Sequence, residues 1–280
     1  MLIDGKALAQ RVREETAHEA SALPRKAGLA VILVGDDPAS RIYVSGKERD
    51  CEQCGFVSRE YKFDDTVTQE TLLELIFALN RDAEIDGILV QLPLPEHIDD
   101  GAIIEAISPE KDVDAFHPVN VGRLSAGKPV LLPCTPAGIM EMLRTYEIPV
   151  EGKVCTVVGR SNIVGKPMAM MLLRANGTVI SCHSRTPELA EFTRQADILV
   201  VAAGHKGLIT GDMIKPGAAV IDVAMNRDAE TGKFTGDVVF DEAARRAAYI
   251  TPVPGGVGPM TRAMLMRNIL AAAKQHIYGK

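Results

Sequence analysis

A tyrosine and a lysine lie four residues apart in the segment SRIYVSGKERD, residues 40–50, shortly after a proline that is typical of a helix start. Four residues is slightly more than one helical turn, so Tyr43 and Lys47 would project from one helix face. A lysine that is partly removed from water loses proton affinity and can act as a base near neutral pH. The pair is therefore a candidate for proton-transfer chemistry, the alternative being a solvated lysine beside a half-buried tyrosine.

Two further polar residues are candidates for the same site. Gln91 directly follows the apolar run IDGILV, and its amide can donate and accept at once, which suits a heteroaromatic substrate or an oriented water molecule. A simple cap on the end of a strand is the alternative for this residue. The segment KDVDAFHP adds Asp112 and Asp114, and an aspartate can hold a ring that carries adjacent N–H donors.

The segment VVGRSNIVGKP, residues 157–167, indicates a phosphate site. An apolar strand runs into Gly159 and a helix opens around Gly165, so the loop presents backbone N–H groups and a positive helix end to phosphates. Ser161 replaces the second glycine of the usual dinucleotide fingerprint. Alone the motif is weak, and a glycine-rich turn that binds nothing is the alternative.

The residues after the next strand discriminate between dinucleotides. An NAD site has an acidic residue about 20 positions past the loop, where it bonds the ribose hydroxyls. Here the sequence has Ser184, Arg185 and Thr186, and a hydroxyl with a guanidinium suits an additional 2′-phosphate. The pattern predicts NADP as the cofactor, with Arg160 as a second cation.

Strands alternate with helices along the chain, which predicts an α/β fold with parallel sheets. The first three strands are LAVILVG, GFVSREYKF and the run before Gln91. A helix with Asp37 as its cap and Gly55 as its terminator is expected after the first strand, and a second helix is expected to open near Thr66, with Gln69 completing a capping box. Four later runs predict a second sheet: KVCTVVG, TVISCHS, DILVVAA and AAVIDVA.

The chain has 280 residues and 46% hydrophobic content, which is enough for two domains. Residues 117–138 show neither a helical nor a strand period, so we expect the crossover between domains there. The last long helix, MTRAMLMRNILAAAKQHI, is amphipathic and is expected to pack back onto the first domain.

Composition argues against several classes of partner. The formal net charge is −6 and no dense lysine or arginine run is present, so neither nucleic acid nor an acidic membrane surface is expected. No apolar run approaches the ~18 residues that cross a bilayer. Five cysteines, and a start MLIDGKALAQ that lacks a charged-then-apolar leader, favour the cytoplasm. Cys51 and Cys54 lack a second cysteine pair or a histidine cluster, so no metal site is predicted.

Six segments together resemble the bifunctional methylenetetrahydrofolate dehydrogenase/methenyltetrahydrofolate cyclohydrolase family. They follow the family's order over essentially the whole chain: SRIYVSGK, VQLPLP, KDVDAFHPVNVGRL, PCTPAG, GRSNIVGKP and YITPVPGGVGPMT. The resemblance implies a homodimer in which each chain has a three-layer α/β catalytic domain and an NADP-binding Rossmann domain, with folate in the cleft between them. The implied ranges are 1–138, joined by the returning helix 262–280, for the folate-binding domain, and 139–261 for the Rossmann domain.

The resemblance also implies residue roles. Lys47 corresponds to the catalytic lysine, with Tyr43 packing on the pterin and Gln91 tuning the lysine. The implied substrate-binding residues are Tyr43, Asp114, Pro254, Gly255 and Gly256. The candidate cofactor-binding residues are Gly159, Arg160, Ser161, Gly165, Ser184, Arg185 and Thr186.

The reaction implied by the resemblance has two steps on tetrahydrofolate derivatives. NADP+ oxidises 5,10-methylenetetrahydrofolate to the 5,10-methenyl cation, which requires two rings held face to face. Water then hydrolyses the cation to 10-formyltetrahydrofolate, and Lys47 is the expected base, acting directly or through Tyr43 and Gln91. Three positions depart from the family pattern: Ala115 stands where glycine is usual, Lys206 where proline is usual, and Ala224 with Met225 where Gly-Ile is usual.

Two other functions remain alternatives. A lysine-dependent NADP oxidoreductase acting on a hydroxy or keto acid would pair its lysine with an aspartate and would have a carboxylate-binding cluster in the first domain. A nucleotide-sensing module without catalysis would have lost Tyr43 or Lys47, and both residues are present.

Overall fold

The computed structural model describes residues 1–35, 38–227 and 232–279, and it describes residues 38–45 by their backbone alone. The chain divides into two compact units. The lysine unit comprises Gln10–Cys134 and Arg262–Lys280, and the glycine-loop unit comprises Met1–Ala9 and Thr135–Thr261.

The lysine unit is built on a three-stranded parallel sheet. Its elements are α1 (Gly5–Ala20, which begins in the other unit), β1 (Gly28–Val34), α2 (Pro38–Cys54), β2 (Val57–Phe63), α3 (Gln69–Arg81), β3 (Gly87–Val90), α4 (Asp100–Ala106) and α5 (Pro118–Ser125). The strand order is β2-β1-β3, with all pairs parallel. The connection from β1 leads to β2 on one side, and the connection from β2 leads back across β1 to β3 on the other side. Ligands of such sheets bind at the carboxyl ends of the strands beside this reversal.

Local sequence explains most of these elements. All seven residues of β1 are buried, as expected for an apolar run at the centre of a parallel sheet. Gly55 has a φ of +75° and follows the end of α2, as predicted. The expected capping box at Thr66 is wrong. Thr68 is the N-cap of α3, because its hydroxyl accepts a hydrogen bond from Thr71 N over 3.3 Å.

The glycine-loop unit contains a five-stranded parallel sheet. Its elements are α6 (Cys134–Thr145, whose first residue belongs to the lysine unit), β4 (Val154–Val158), α7 (Gly165–Arg174), β5 (Thr178–Cys182), α8 (Leu189–Thr193), β6 (Ile198–Val201), a 3₁₀ turn (Gly211–Met213), β7 (Ala219–Asp222), β8 (Asn226–Arg227), β9 (Phe234–Thr235), α9 (Phe240–Ala244) and β10 (Tyr249–Ile250). The strand order is β10-β7-β6-β4-β5, and β8 and β9 form a separate antiparallel pair. The reversal in strand order lies between β4 and β6, so a ligand is expected at the carboxyl end of β4.

The ends of the chain are divided between the units. The last helix, α10 (Val257–Tyr278), includes the unit boundary, and Arg262–Lys280 belongs to the lysine unit. The first nine residues belong to the glycine-loop unit, although the sequence placed 1–138 in one domain. The physical reason is backbone pairing with β10: Ile3 N donates to Ile250 O over 2.8 Å, and Ile250 N donates to Met1 O over 3.0 Å.

The expected crossover, residues 117–138, contains a helix that the sequence did not reveal. Pro118 is the first residue of α5, and the ring nitrogen Nδ1 of His117 accepts from Val119 N over 3.0 Å as its cap. Eight residues are too few to display a helical period clearly. Among the helices described here, none is both long and apolar enough to cross a bilayer.

Candidate functional site

Lys47 and Gln91 are in direct contact within the lysine unit. Lys47 lies on α2, and its Nζ donates a hydrogen bond to Gln91 Oε1 over 2.9 Å. Gln91 follows β3, and its backbone N donates to Ile32 O, which places the residue at the carboxyl end of the sheet. Its Nε2 donates to Leu92 O over 2.8 Å, so the amide oxygen is held toward the lysine.

The surroundings of Lys47 favour its neutral form. The side chain is half-buried, and burial lowers the pKa of the amine, while the Asp114 carboxylate opposes that shift and the Arg262 guanidinium adds to it. A lysine in this setting holds an unprotonated amine at a lower pH than a solvated one. It can therefore accept a proton under milder conditions.

Asp114 is positioned by the segment that runs beside β3. Ile88 N donates to Lys111 O over 2.7 Å, and the buried Asp112 carboxylate accepts from His117 N and Asn120 Nδ2, each over 2.8 Å. These bonds fix the turn that includes Asp114. Burial raises the pKa of Asp114 to about 6, although the Lys47 charge opposes the shift. Lys47, Gln91 and Asp114 are thus brought together in one unit.

Tyr43 is the remaining candidate of this group. Its backbone belongs to α2, one turn before Lys47, and its side chain lies outside the described residues.

The glycine loop after β4 depends on close backbone approach. Gly159 has a φ of +131°, and a Cβ there would collide with Ala202 O, while a Cβ on Gly165 would collide with Gly159 O. Ser161 Oγ accepts from Val164 N and Gly165 N, each over 3.2 Å, and so organises the start of α7. The exposed Arg160 lies at the beginning of this loop. The loop therefore has the backbone geometry and positive helix end that suit phosphate.

A tight turn after β5 forms the second part of the candidate phosphate-binding site. His183 N donates to Thr186 Oγ1 over 2.9 Å, and Arg185 N donates to His183 Nδ1 over 3.1 Å. Thr186 therefore holds the turn, while Ser184 and Arg185 are exposed. Because β4 and β5 are neighbours and parallel, this turn and the glycine loop lie at the same edge of the sheet.

The last candidates precede α10 in the glycine-loop unit. Gly255 has a φ of +110°, and a Cβ on Gly256 would lie 2.6 Å from Pro252 O. Pro254, Gly255 and Gly256 therefore form a turn that other residues would strain. These residues belong to the glycine-loop unit, whereas Lys47, Gln91 and Asp114 belong to the lysine unit.

Sequence reasoning missed a buried carboxylate in the glycine-loop unit. Asp237 is fully buried, and its Oδ2 accepts from Ala203 N and Gly204 N, each over 2.8 Å. Its Oδ1 accepts from His205 N over 2.6 Å and from Asn226 Nδ2 over 2.8 Å. Asp237 thus ties together the loops in which Lys206 and Ala224–Met225 depart from the family pattern. An aspartate directly before the apolar run VVF was the available signal.

Comparison with known proteins identifies the family. The model of the tetrahydrofolate dehydrogenase/cyclohydrolase catalytic domain matches residues 3–114, and the model of its NAD(P)-binding domain matches residues 133–277. The chain belongs to the tetrahydrofolate dehydrogenase/cyclohydrolase family. The resemblance in the six sequence segments is therefore confirmed.

Individual members of the family are similar over nearly their whole length. The bifunctional protein FolD of Acetivibrio thermocellus is 56% identical over 276 residues, which cover 98% of this chain and 96% of that protein. The FolD methylenetetrahydrofolate dehydrogenase/cyclohydrolase structure from Campylobacter jejuni is 51% identical, with a TM-score of 0.96 and coverage of 98% and 99%. The FolD structure from Trypanosoma brucei, complexed with NADP and an inhibitor, is 42% identical, with a TM-score of 0.95 and coverage of 98% and 97%.

These similarities confirm the α/β fold with two domains and parallel sheets. Within the described ranges, no group of three or more histidine, cysteine, aspartate or glutamate side chains could hold a metal ion.

Proposed function

We propose that this chain oxidises 5,10-methylenetetrahydrofolate to 5,10-methenyltetrahydrofolate with NADP+ and hydrolyses the product to 10-formyltetrahydrofolate. Membership of the tetrahydrofolate dehydrogenase/cyclohydrolase family supports both activities. The observation that supports the hydrolytic step most directly is the contact between Lys47 Nζ and Gln91 Oε1. It joins a desolvated amine to an oriented amide at the end of a parallel sheet.

The glycine-loop unit fits NADP. Arg160, Arg185 and Ser184 offer two guanidinium groups and a hydroxyl at neighbouring strand ends, which suits a 2′-phosphate. The start of α7 offers the positive end of a helix to the pyrophosphate. NADP+ accepts the hydride when it is bound. For this step the protein needs to orient two rings rather than to supply a strong base.

Hydrolysis begins with attack of water on the methenyl carbon. As the new carbon–oxygen bond forms, Lys47 takes a proton from the water, directly or through Tyr43 and Gln91. The carbon–N5 bond then breaks as N5 takes the proton held by Lys47, which leaves the lysine neutral. The hydroxyl group of the intermediate loses its proton to solvent and becomes the formyl carbonyl. The substrate is itself a cation, and repulsion between like charges favours the neutral form of Lys47 further.

Asp114 is the proposed anchor of the pterin ring. A carboxylate can accept hydrogen bonds from adjacent N–H donors in the plane of the ring. Its half-buried position near Lys47 would place the ring within the reach of the lysine. Pro254, Gly255 and Gly256 are proposed as substrate-binding residues, because glycine allows backbone to approach a flat ring closely.

The alternative function, oxidation of a hydroxy or keto acid, receives less support. It requires a lysine paired with an aspartate, and here the lysine donates to the amide of Gln91. The family matches over both halves of the chain also favour folate chemistry.

We further propose that the chain forms a homodimer in the cytoplasm. Exposed apolar side chains in the glycine-loop unit support an interface, since Leu173 is 64% exposed and Phe240 is 40% exposed. All five cysteines are free thiols, which fits a reducing compartment. Light scattering should give twice the chain mass of 30.1 kDa, and a monomeric mass would contradict the dimer.

The decisive experiment adds the purified protein to 5,10-methylenetetrahydrofolate with NADP+ and follows the near-ultraviolet absorbance of the methenyl product. We expect a rise from oxidation followed by a decay to 10-formyltetrahydrofolate. In Lys47→Met the rise should persist and the catalysed decay should disappear. Absence of both phases in the unmodified protein would contradict the proposed function, and undiminished decay in Lys47→Met would remove the lysine from the mechanism.

A further inference from the structure

An arginine from α10 occupies the space next to the lysine on α2. Gly46 directly precedes Lys47, and a Cβ on Gly46 would overlap Arg262 Nη1 and lie 3.1 Å from its Cζ. A glycine inside a helix is less favourable than alanine. The packing of the guanidinium gives a physical reason for glycine at this position.

The same guanidinium is held by a buried carboxylate one turn further along α2. Arg262 Nε lies 3.3 Å from Asp50 Oδ2, and Arg13 Nε on α1 lies 3.5 Å from Asp50 Oδ1. Asp50 is 5% exposed, so this carboxylate is largely removed from solvent screening. Two cations share one carboxylate, and the cluster keeps a net positive charge beside Lys47.

We propose that Arg262 is a positioning residue for Lys47: by packing on Gly46 and pairing with Asp50, it fixes the turn of α2 that includes the lysine and places a positive charge beside the amine. The proposal rests on the proposed role of Lys47 as the hydrolytic base. Arg262 itself takes no part in proton transfer. It acts by keeping the amine in place and by lowering its proton affinity.

Charged and titratable groups face Lys47 from several elements. They are Asp114 in the turn beside β3, Cys134 at the start of α6, Cys51 on α2 and Arg262 on α10. Burial raises the pKa of the Cys51 thiol to about 12 and that of the Cys134 thiol well above its ordinary value, so both remain neutral near pH 7. Among the residues whose side chains are described, Asp114 and Arg262 are therefore the charged groups that act on the amine, and their effects have opposite signs.

The first test replaces Arg262 with methionine, which keeps an unbranched side chain and removes the charge. Without the nearby cation the protonated form of Lys47 is more stable. The rising limb of the pH–rate profile for hydrolysis should therefore move to higher pH. On that limb the rate changes about tenfold for each pH unit, so hydrolysis near neutral pH falls and recovers at alkaline pH. Oxidation with NADP+ needs no base and should keep its pH profile.

Arg262→Lys is the matched control, because it keeps the charge and should keep the limb near its original pH. A purely structural role would reduce oxidation and hydrolysis together at every pH. If the rising limb of the pH–rate profile does not move in Arg262→Met, while Lys47→Met still abolishes hydrolysis, the role of Arg262 is overturned and the proposed function is not affected. Undiminished hydrolysis in Lys47→Met would instead show that Lys47 is not the base.

The contact with Gly46 is tested separately. In Gly46→Ala the added methyl group displaces the Arg262 guanidinium. The rising limb of the pH–rate profile for hydrolysis should therefore move to higher pH, as in Arg262→Met. In the double variant with Arg262→Met, the alanine should add no further shift, because the displaced group is already absent. Full additivity of the two shifts would show that Gly46 and Arg262 act independently and would overturn the positioning argument. Circular dichroism melting curves establish that each variant is folded.

Discussion

Lys47 Nζ lies 2.9 Å from Gln91 Oε1, and the amide of Gln91 is held in this orientation by its own bond to Leu92 O. In this bond the lysine donates to a neutral oxygen. A contact ion pair would stabilise the ammonium, whereas an amide stabilises it much less. This relationship leaves burial as the leading influence on the pKa of Lys47, and burial lowers it.

Changing Gln91 to glutamate should weaken hydrolysis near neutral pH. The new carboxylate would pair with Lys47 and raise the pKa of its amine, so less of the neutral base is available. We expect about a tenfold or greater loss in the rate of methenyltetrahydrofolate hydrolysis at pH 7, with partial recovery at higher pH. The measurement is the pH–rate profile of the decay phase. Gln91→Met, which adds no charge, serves as the control. If its pH–rate profile moves as far as that of Gln91→Glu, the electrostatic explanation is contradicted.

Changing Arg185 to alanine should reduce the preference for NADP+ over NAD+. A charge-assisted hydrogen bond contributes about 1.5–3 kcal/mol, so KM for NADP+ should rise about 10- to 100-fold while KM for NAD+ changes little. Steady-state oxidation with each cofactor measures the effect. Arg174→Ala, which removes an exposed arginine at the opposite end of α7, is the matched control. Equal losses for both cofactors would refute the 2′-phosphate role of Arg185.

The sequence predicts those features that depend on residues close together in the chain. Buried strands appear as apolar runs, and Gly55 and Gly159 occupy turns that require positive φ. The site candidates at strand ends follow from the same logic, because a parallel sheet brings the residues after its strands to one edge. Lys47 and Gln91 are 44 positions apart, and this rule places Gln91 at the edge of the sheet where α2 begins.

Features that depend on distant packing could not be predicted. The partner of Gly46 is Arg262, and neither position has a local pattern that points to the other. The pairing of Ile3 with Ile250 could not be predicted either, because the three residues at the start of the chain are too few to show a strand period. Asp237 binds four groups from two loops, and sequence shows only that an aspartate precedes an apolar run.

Asp86 should stabilise the lysine unit in a pH-dependent manner. It is fully buried and accepts two bonds from Arg25 over 2.7 Å, one from Gly28 N over 2.9 Å, and a contact from His276 Nδ1 over 3.0 Å. Burial acts to raise the pKa of Asp86, but these hydrogen bonds outweigh it and leave the pKa lowered. A lowered pKa in the folded state means that the stabilisation is present above the ordinary pKa of aspartate and is lost as the pH falls through the folded value.

The corresponding variant is Asp86→Asn, which keeps the shape and removes the charge. It should lower the free energy of unfolding by about 2 kcal/mol at pH 7, because the amide leaves the partly exposed Arg25 guanidinium without its counter-charge. The difference in melting temperature from the unmodified protein should be constant between pH 7 and pH 5 and should shrink in stronger acid. A difference that grows as the pH falls would contradict the sign of this argument.

Changing Ala115 to glycine should stabilise the protein. Ala115 has a φ of +58°, a left-handed conformation that a Cβ disfavours by roughly 1–2 kcal/mol, and its backbone N is fixed by a 3.0 Å bond to Asp112 O. Glycine removes this strain but has greater freedom in the unfolded chain, so a net gain of about 0.5–1 kcal/mol and a rise of about 1–3 °C in Tm are expected. Thermal melting followed by circular dichroism measures the change. The matched control is Ala126→Gly, where φ is −77° and no strain is relieved, so Tm should fall. Equal decreases in Tm for both variants would show that the turn at Ala115 stores no strain.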